Sequence, residues 1–374
     1  MPAATSTNWP AFHNGGPLLG VAAPIGPPPM ELRWQFRAED DPPAGKAAAA
    51  QVGITPGFES SAAIVDGVVF AADRAGAVRA IDLKTGKRKW TYRVDAGFAA
   101  SPGVLKGAVY IGDEEGIFHA VNAQTGQKLW TFDAGSSIHS SANFQGDKIV
   151  FGDDGADIYC LGPDGKKIWD SKAGDRVNSA PAIGGAEPGQ SAGVFVSGCD
   201  AELRAIDVDT GKDRFTKELG ALCPGSPALL EDRIVVGTDG GKILCLSRDG
   251  SKQLWEFAGV QNQAMVYASP AVSDGIVAVG TRDRNVYGLD LATGQKKWSF
   301  ATHGDVDSSP VISAGRVYVG GKDKHFYVLD LKTGDKLWEF VASRGITATA
   351  AIADGAVVIG DIAGVLYCFE PKSN

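Results

Sequence analysis

The chain has 374 residues, 44% of them hydrophobic and 21% charged, with a formal charge of −8 and a pI near 5.2. This composition excludes a largely disordered chain, and the acidic balance without a long Lys or Arg run excludes non-specific attachment to nucleic acid or to an anionic membrane surface. No stretch approaches the ~20 apolar residues of a membrane-spanning helix, so no transmembrane segment is expected.

Residues 1–30 read as an N-terminal extension ahead of the fold. They hold no Lys or Arg and are broken by Pro10, Pro17, Pro24, Pro27, Pro28 and Pro29, so they carry neither the basic start nor the apolar run of a secretory signal. The chain is therefore expected either to be cytoplasmic or to be a version from which a signal was removed. Leu32 to Phe36 follow as a short strand carrying Trp34. Glu39 to Thr55, rich in Ala, Pro and charge, read as a long loop.

From there the sequence repeats itself. AIDLKTGKRKW (80–90) returns as AVNAQTGQKLW (120–130), CLGPDGKKIW (160–169), AIDVDTGKDRF (205–215), CLSRDGSKQLW (245–255), GLDLATGQKKW (288–298) and VLDLKTGDKLW (328–338). Successive aromatic ends lie 39 to 46 residues apart, the period of a four-stranded propeller blade. Each copy reads as a hairpin whose glycine, from Gly86 to Gly334, supplies the positive φ of a tight turn. A second hairpin precedes it, so each repeat predicts four strands. An eighth unit opens at Thr347 and stops before its aromatic strand, and the segment around Trp34 repeats the missing pattern. The expected fold is all-β: an eight-bladed β-propeller over residues 31–374, with four antiparallel strands per blade and the N-terminal strand at about 31–36 closing the last blade, which hides the open edge.

The x-Asp-x-x-Thr-Gly-x-x-x-Trp element resembles the tryptophan-docking repeat of PQQ-type quinoprotein propellers, and the chain is similar to BamB-like, PQQ-binding-like repeat proteins over about residues 31–374. The resemblance implies that Trp34, Trp90, Trp130, Trp169, Trp255, Trp298 and Trp338 pack between blades, with Phe215 lacking the indole N–H. It also implies two functions of different class. One is a non-enzymatic scaffold, a monomer that presents one loop face to a protein partner in the cell envelope. The other is a quinone- or metal-dependent oxidoreductase using PQQ with calcium in the central funnel. The adjacent cysteine pair of the quinoprotein dehydrogenases is missing from this sequence, as is a Cys-x-x-Cys-His haem attachment. The scaffold is therefore the reading adopted, with no catalytic residue, cofactor or metal site assigned. A carbohydrate-binding propeller using Tyr267 and Phe98 as exposed aromatics is a third reading.

Five cysteines divide by repeat position. Cys160, Cys245 and Cys368 share the slot of Ala80 and Ala120 and are expected to fill the core. Cys199 and Cys223 lie in connections that emerge on one face, and are expected to be able to form a disulfide. That pair and the resemblance together favour the periplasm or the exterior over the cytoplasm.

Aligning the repeats places Glu59, Ala99, His139, Asn178, Pro224, Tyr267, Asp307 and Thr347 at the central funnel, one per blade. The candidate ligand-binding residues of the funnel mouth are Glu59, His139, Asn178, Tyr267 and Asp307, with Arg176 and Arg344 in loops of the same face beside Asp175 and Asp305. His139 and Asp307, four blades apart, are expected to face each other. The likeliest partner contacts by position are the long loop before the first blade, the insertion at 184–193 and the face carrying Cys199.

Overall fold

The computed structural model describes residues 7–41, 55–185 and 191–372. Among them, 32 strands form eight four-stranded antiparallel sheets. In the first sheet, strands A to D are Ala63–Val65, Val68–Ala72, Ala77–Asp82 and Arg88–Arg93. The A strands of neighbouring sheets touch each other, so A lies at the axis and D at the rim. Strands B and C are covered on both faces by the adjacent blades, and they read as near-continuous apolar runs such as Ala108–Gly112 and Ile276–Thr281. The D strands face solvent and bury little beyond their aromatic residue, as in Arg88–Arg93, where Trp90 alone is buried.

The eighth sheet is closed by both ends of the chain. Its D strand, Met30–Arg37, pairs antiparallel with Val365–Pro371, matching Met30 with Pro371 and Trp34 with Cys368, with an irregularity between Leu32 and Trp34. The strand expected at about 31–36 is thus one residue longer at each end.

The rim aromatics join neighbouring blades. Indole N–H groups of Trp34, Trp90, Trp130, Trp169, Trp255 and Trp298 donate to the carbonyls of Leu83, Ala123, Pro163, Val208, Leu291 and Leu331 at 2.7–2.9 Å. Each accepting carbonyl belongs to the C–D turn of the following blade. Gly294 shows why that turn requires glycine: its φ is +72°, and a Cβ there would lie 2.7 Å from the Trp255 ring. Phe215 packs in the same way against Gly250, without a hydrogen bond to give. Trp338 departs from the pattern. The following blade has chain ends where the others have a C–D turn, and Trp338 packs instead against Phe340 and Phe369.

Residues 7–29, marked from sequence only as an extension, are integral to the ring. The inner edge of every A strand has backbone N–H groups that need acceptors, and the extension supplies them blade by blade. Trp9 and Ile64 exchange backbone hydrogen bonds of 2.7 and 2.8 Å, and the amides of Val104, Ile183, Leu229, Val272 and Ile312 donate to Pro10, Gly16, Pro17, Leu19 and Gly20. The Asn143 side chain binds Gly16 in both directions at 2.8 Å, and Asp354 N–H reaches Thr7 at 3.2 Å. All eight blades are engaged. Proline suits such a segment, because it accepts through its carbonyl and has no N–H left over.

Candidate functional site

The axial cavity is built by the residues that precede each A strand. Glu59, Ala99, His139, Asn178, Pro224, Tyr267, Asp307 and Thr347 all line one cavity of about 170 Å³, with Phe12 of the extension also in its wall. The extension meets the A strands about five residues further along each chain segment, so it floors the channel and leaves the opposite, loop-bearing end as the mouth.

Just inside the mouth runs a belt of hydroxyls. Ser61 and Ser101 donate their amides to the side chains of Ser101 and Ser141 at 3.1 and 2.9 Å. Across the ring, the amides of Ala180, Ser226, Ser269 and Ser309 donate to the hydroxyls of Ser226, Ser269, Ser309 and Thr349 at 2.8–3.2 Å. These hydroxyls are occupied in tying one blade to the next. The side-chain oxygens of Ser60, Asn178 and Thr347 are buried without a protein partner, places for water or a small polar ligand.

A second collar surrounds the mouth. In every blade the residue after the first position of the B–C turn donates its amide to the preceding D–A loop: Arg74 to Gly57, Glu114 to Gly97, Asp154 to Ser137, Cys199 to Arg176, Asp239 to Leu222, Arg282 to Met265, Lys322 to Asp305 and Ile362 to Gly345. Eight side chains are thereby displayed on a rigid frame. On one side Glu59 lies 4.0 Å from Arg74, which binds Glu114 at 2.7 Å, while His139 sits between Asp154 at 3.0 Å and Glu114 at 3.7 Å. On the other side Asp307 takes both nitrogens of the Arg282 fork at 2.8 and 2.9 Å and Lys322 at 2.7 Å. Arg282 also lies 3.8 Å over the Tyr267 ring. Burial pushes the Asp307 carboxyl upward, but the bonds from Arg282 and Lys322 outweigh it and hold it below the usual carboxylate range.

The structure thus gathers Glu59, His139, Asn178, Tyr267 and Asp307 around one opening. Arg176 and Arg344 stand outside it as exposed loop residues; Arg176 lies 3.8 Å from Asp175, and the Arg344 amide binds Asp361. Sequence reasoning missed Arg74, Glu114, Asp154, Arg282 and Lys322. They share one position of the B–C turn, but these turns vary at every position, from DRAG at 73–76 to GKDK at 321–324, so the repeat alone does not single them out.

Phe98 corrects an expectation. It is 1% exposed, not a surface aromatic, because it occupies an apolar slot one residue before the mouth position, shared with Phe58, Ile138, Val177, Cys223, Val266, Val306 and Ile346. At Gly280 a Cβ would collide with the Val306 side chain, which explains the glycine near the end of that B strand. Cys223 is fully buried in this slot, and burial pushes its thiol up to about 12. Its amide binds Gly198 O at 3.1 Å, beside Cys199, and both cysteines are free thiols here. Cys160, Cys245 and Cys368 are fully buried at their shared slot. Most of the long loop (42–54) and half of the insertion (186–190) lie outside the described residues.

His13, beside Phe12 in the floor, is wholly buried with Nδ1 3.1 Å from Leu18 O. Loss of hydration lowers its pKa from 6.5 to about 4. The unfolded chain therefore takes up a proton between pH 6.5 and 4 that the folded chain refuses, so this contribution is complete above pH 6.5 and lost as pH falls. We expect about 3 kcal/mol less stability at pH 4 than at pH 7 from this residue. Urea titrations of wild type and His13→Gln at both pH values check it: the variant should lose that part of the acid sensitivity.

The family described as outer membrane protein assembly factor BamB matches residues 31–169, 113–258 and 253–373. The chain belongs to this family. The BamB of Burkholderia pseudomallei is 29% identical over 140 residues, covering 37% of this chain and 34% of that one. The BamB of Yersinia pestis is 23% identical over 244 residues, 62% of this chain and 53% of that one. The matched stretches thus span between a third and about half of these relatives. Among solved structures, BamB from Moraxella catarrhalis superposes with a TM-score of 0.73 at 17% identity, covering 92% of this chain and 98% of that chain. Quinohemoprotein alcohol dehydrogenase from Comamonas testosteroni gives 0.81 at 15% identity, covering 100% and 82%. At these identities the superpositions show the shared propeller. Among the described residues no helix is long and apolar enough to cross a membrane, and no group of three or more His, Cys, Asp or Glu could hold a metal ion.

Proposed function

We propose that this BamB-family propeller is a non-enzymatic scaffold of the cell envelope that receives a protein partner on the loop face around the channel mouth. The observation that carries this reading is the double collar: two rings of varied side chains, eight positions each, fixed by repeated backbone bonds around a floored channel. A rigid frame presenting variable residues suits recognition. Family membership supports a place in outer membrane protein assembly.

The same geometry disfavours a quinone held by calcium. The channel's 170 Å³ is below the ~300 Å³ at which small-molecule sites begin. The mouth carboxylates Glu59 and Asp307 already face Arg74, Arg282 and Lys322, and both ring nitrogens of His139 face acids, Asp154 and Glu114. Carbohydrate stacking is weakened too, since one face of Tyr267 is covered by Arg282.

Biolayer interferometry of the purified chain against the outer-membrane assembly proteins of its own organism tests the proposal. Saturable one-to-one binding by wild type is expected. No binding, or heat released on titrating PQQ with calcium, would overturn it.

A further inference from the structure

We propose that Leu222, Met265 and Tyr267 with Arg282 form the docking point for a protein segment carrying apolar side chains flanked by carboxylates; this rests on the scaffold reading and locates its contact.

The collar repeats at every blade, so departures from the repeat are informative. The D–A loop residue whose carbonyl receives the collar amide is small or charged in six blades: Gly57, Gly97, Ser137, Arg176, Asp305 and Gly345. In the fifth and sixth blades it is Leu222 and Met265. Both are exposed, at 38% and 40%, and next to them Tyr267 is 41% exposed. Among the described residues, the other large exposed apolar side chains lie on the rim strands, apart from Ile362. Arg282 joins Met265 to Tyr267: its amide holds Met265 O, its guanidinium lies over Tyr267, and Nη1 is 3.8 Å from Met265 Sδ, while Leu222 holds the equivalent place in the fifth blade, bound by the Asp239 amide. Tyr, Met and Arg packed in one exposed patch are the residue types enriched in protein contacts, where Tyr and Arg dominate the binding energy.

Charge around the patch specifies its occupant. Toward the seventh and eighth blades, Arg284, Lys324 and Arg344 are exposed and have no carboxylate partner among the described residues. The acids of that sector are occupied: Asp283 by Thr281 and Tyr287, Asp323 by Tyr327 and backbone amides, Asp361 by Ser343 and Tyr367, and Asp305 faces Lys322 at 3.7 Å. On the far side of the mouth, Glu114 and Asp154 hold His139 between them and Glu115 adds an exposed acid, so that with Asp175 and Glu59 the carboxylates outnumber Arg74 and Arg176 there. An acidic segment is attracted to one half of the face and repelled by the other, which fixes its direction across the patch.

A phage-displayed random peptide library selected on the immobilised chain tests this. Enriched peptides should pair Leu, Phe or Trp with Asp or Glu. The best of them, synthesised and labelled, should bind about tenfold more weakly to Met265→Ser and to Arg284→Glu/Lys324→Glu, with Leu129→Ser on the rim unchanged and all variants melting like wild type. Basic or purely apolar peptides, equal binding to the patch variants, or no enrichment would overturn the docking point. The interferometry assay separates the two levels: full binding by the patch variants sinks only this inference, whereas a wild type that fails to bind sinks the scaffold reading.

Discussion

Replacing Trp9 by Ala is expected to lower stability by about 3–5 kcal/mol, the usual cost of removing a large buried aromatic. Trp9 is wholly buried and belongs to the largest apolar cluster, with Ile25, Ile64, Val311 and Ile352 drawn from the extension and from the first, seventh and eighth blades. It thus fills space exactly where the extension begins its circuit, and its backbone pairing with Ile64 loses its anchor when the ring goes. Trp9→Phe offers the contrast. The indole nitrogen is buried without a partner, so phenylalanine gives up no hydrogen bond and should cost much less than alanine. Urea denaturation followed by fluorescence measures both variants; equal losses for Phe and Ala would show that the ring's volume is not what counts.

The extension shows where the sequence is mute. The D strands and their turns announced themselves, because a solvent-facing strand must alternate and a turn under an indole must be glycine. Blade count followed from the seven copies and the partial eighth, and closure from Trp34. The path of residues 7–29 left no such trace: its bonds run through backbone carbonyls to blade amides, so side-chain pattern does not encode them. The mouth was legible for a related reason. Equivalent positions in a closed ring point to the axis, so aligning repeats was enough to bring His139 and Asp307 to one cavity. The charged collar was overlooked because its members belong to turns, where polar residues look like ordinary solvated surface. Arg282 and Lys322 become informative only beside Asp307, which lies about 15 to 25 residues away in the sequence. Phe98 failed differently. It sits in a loop by sequence, yet the repeat places it, like Cys223, in an apolar slot beneath the mouth, and comparison with Ile138 and Val306 would have shown it.

Arg79→Leu is expected to cost about 3–5 kcal/mol, the range found when one partner of a buried ion pair is removed. Arg79 is 1% exposed and stands between Asp73, fully buried, and Asp41, 6% exposed, with the rings of Phe36 and Phe58 each 5.8 Å from its guanidinium. The two acids differ in what they keep. Asp41 retains Arg88, Arg93 and Thr91, whereas Asp73 keeps only the amides of Ala75 and Ala77 on its other oxygen. The uncompensated charge therefore falls on Asp73. At the same spacing His119 serves Asp113 in the second blade and Tyr367 serves Asp361 in the eighth, so a neutral donor can meet this acid as well as a cation can. Adding Asp73→Asn to Arg79→Leu should then recover a large part of the loss, because the stranded charge is gone while the turn amides keep an acceptor. Denaturation midpoints of the single and double variants decide it: a double variant no more stable than Arg79→Leu would mean that lost packing between Phe36 and Phe58, and not the bare carboxylate, sets the cost.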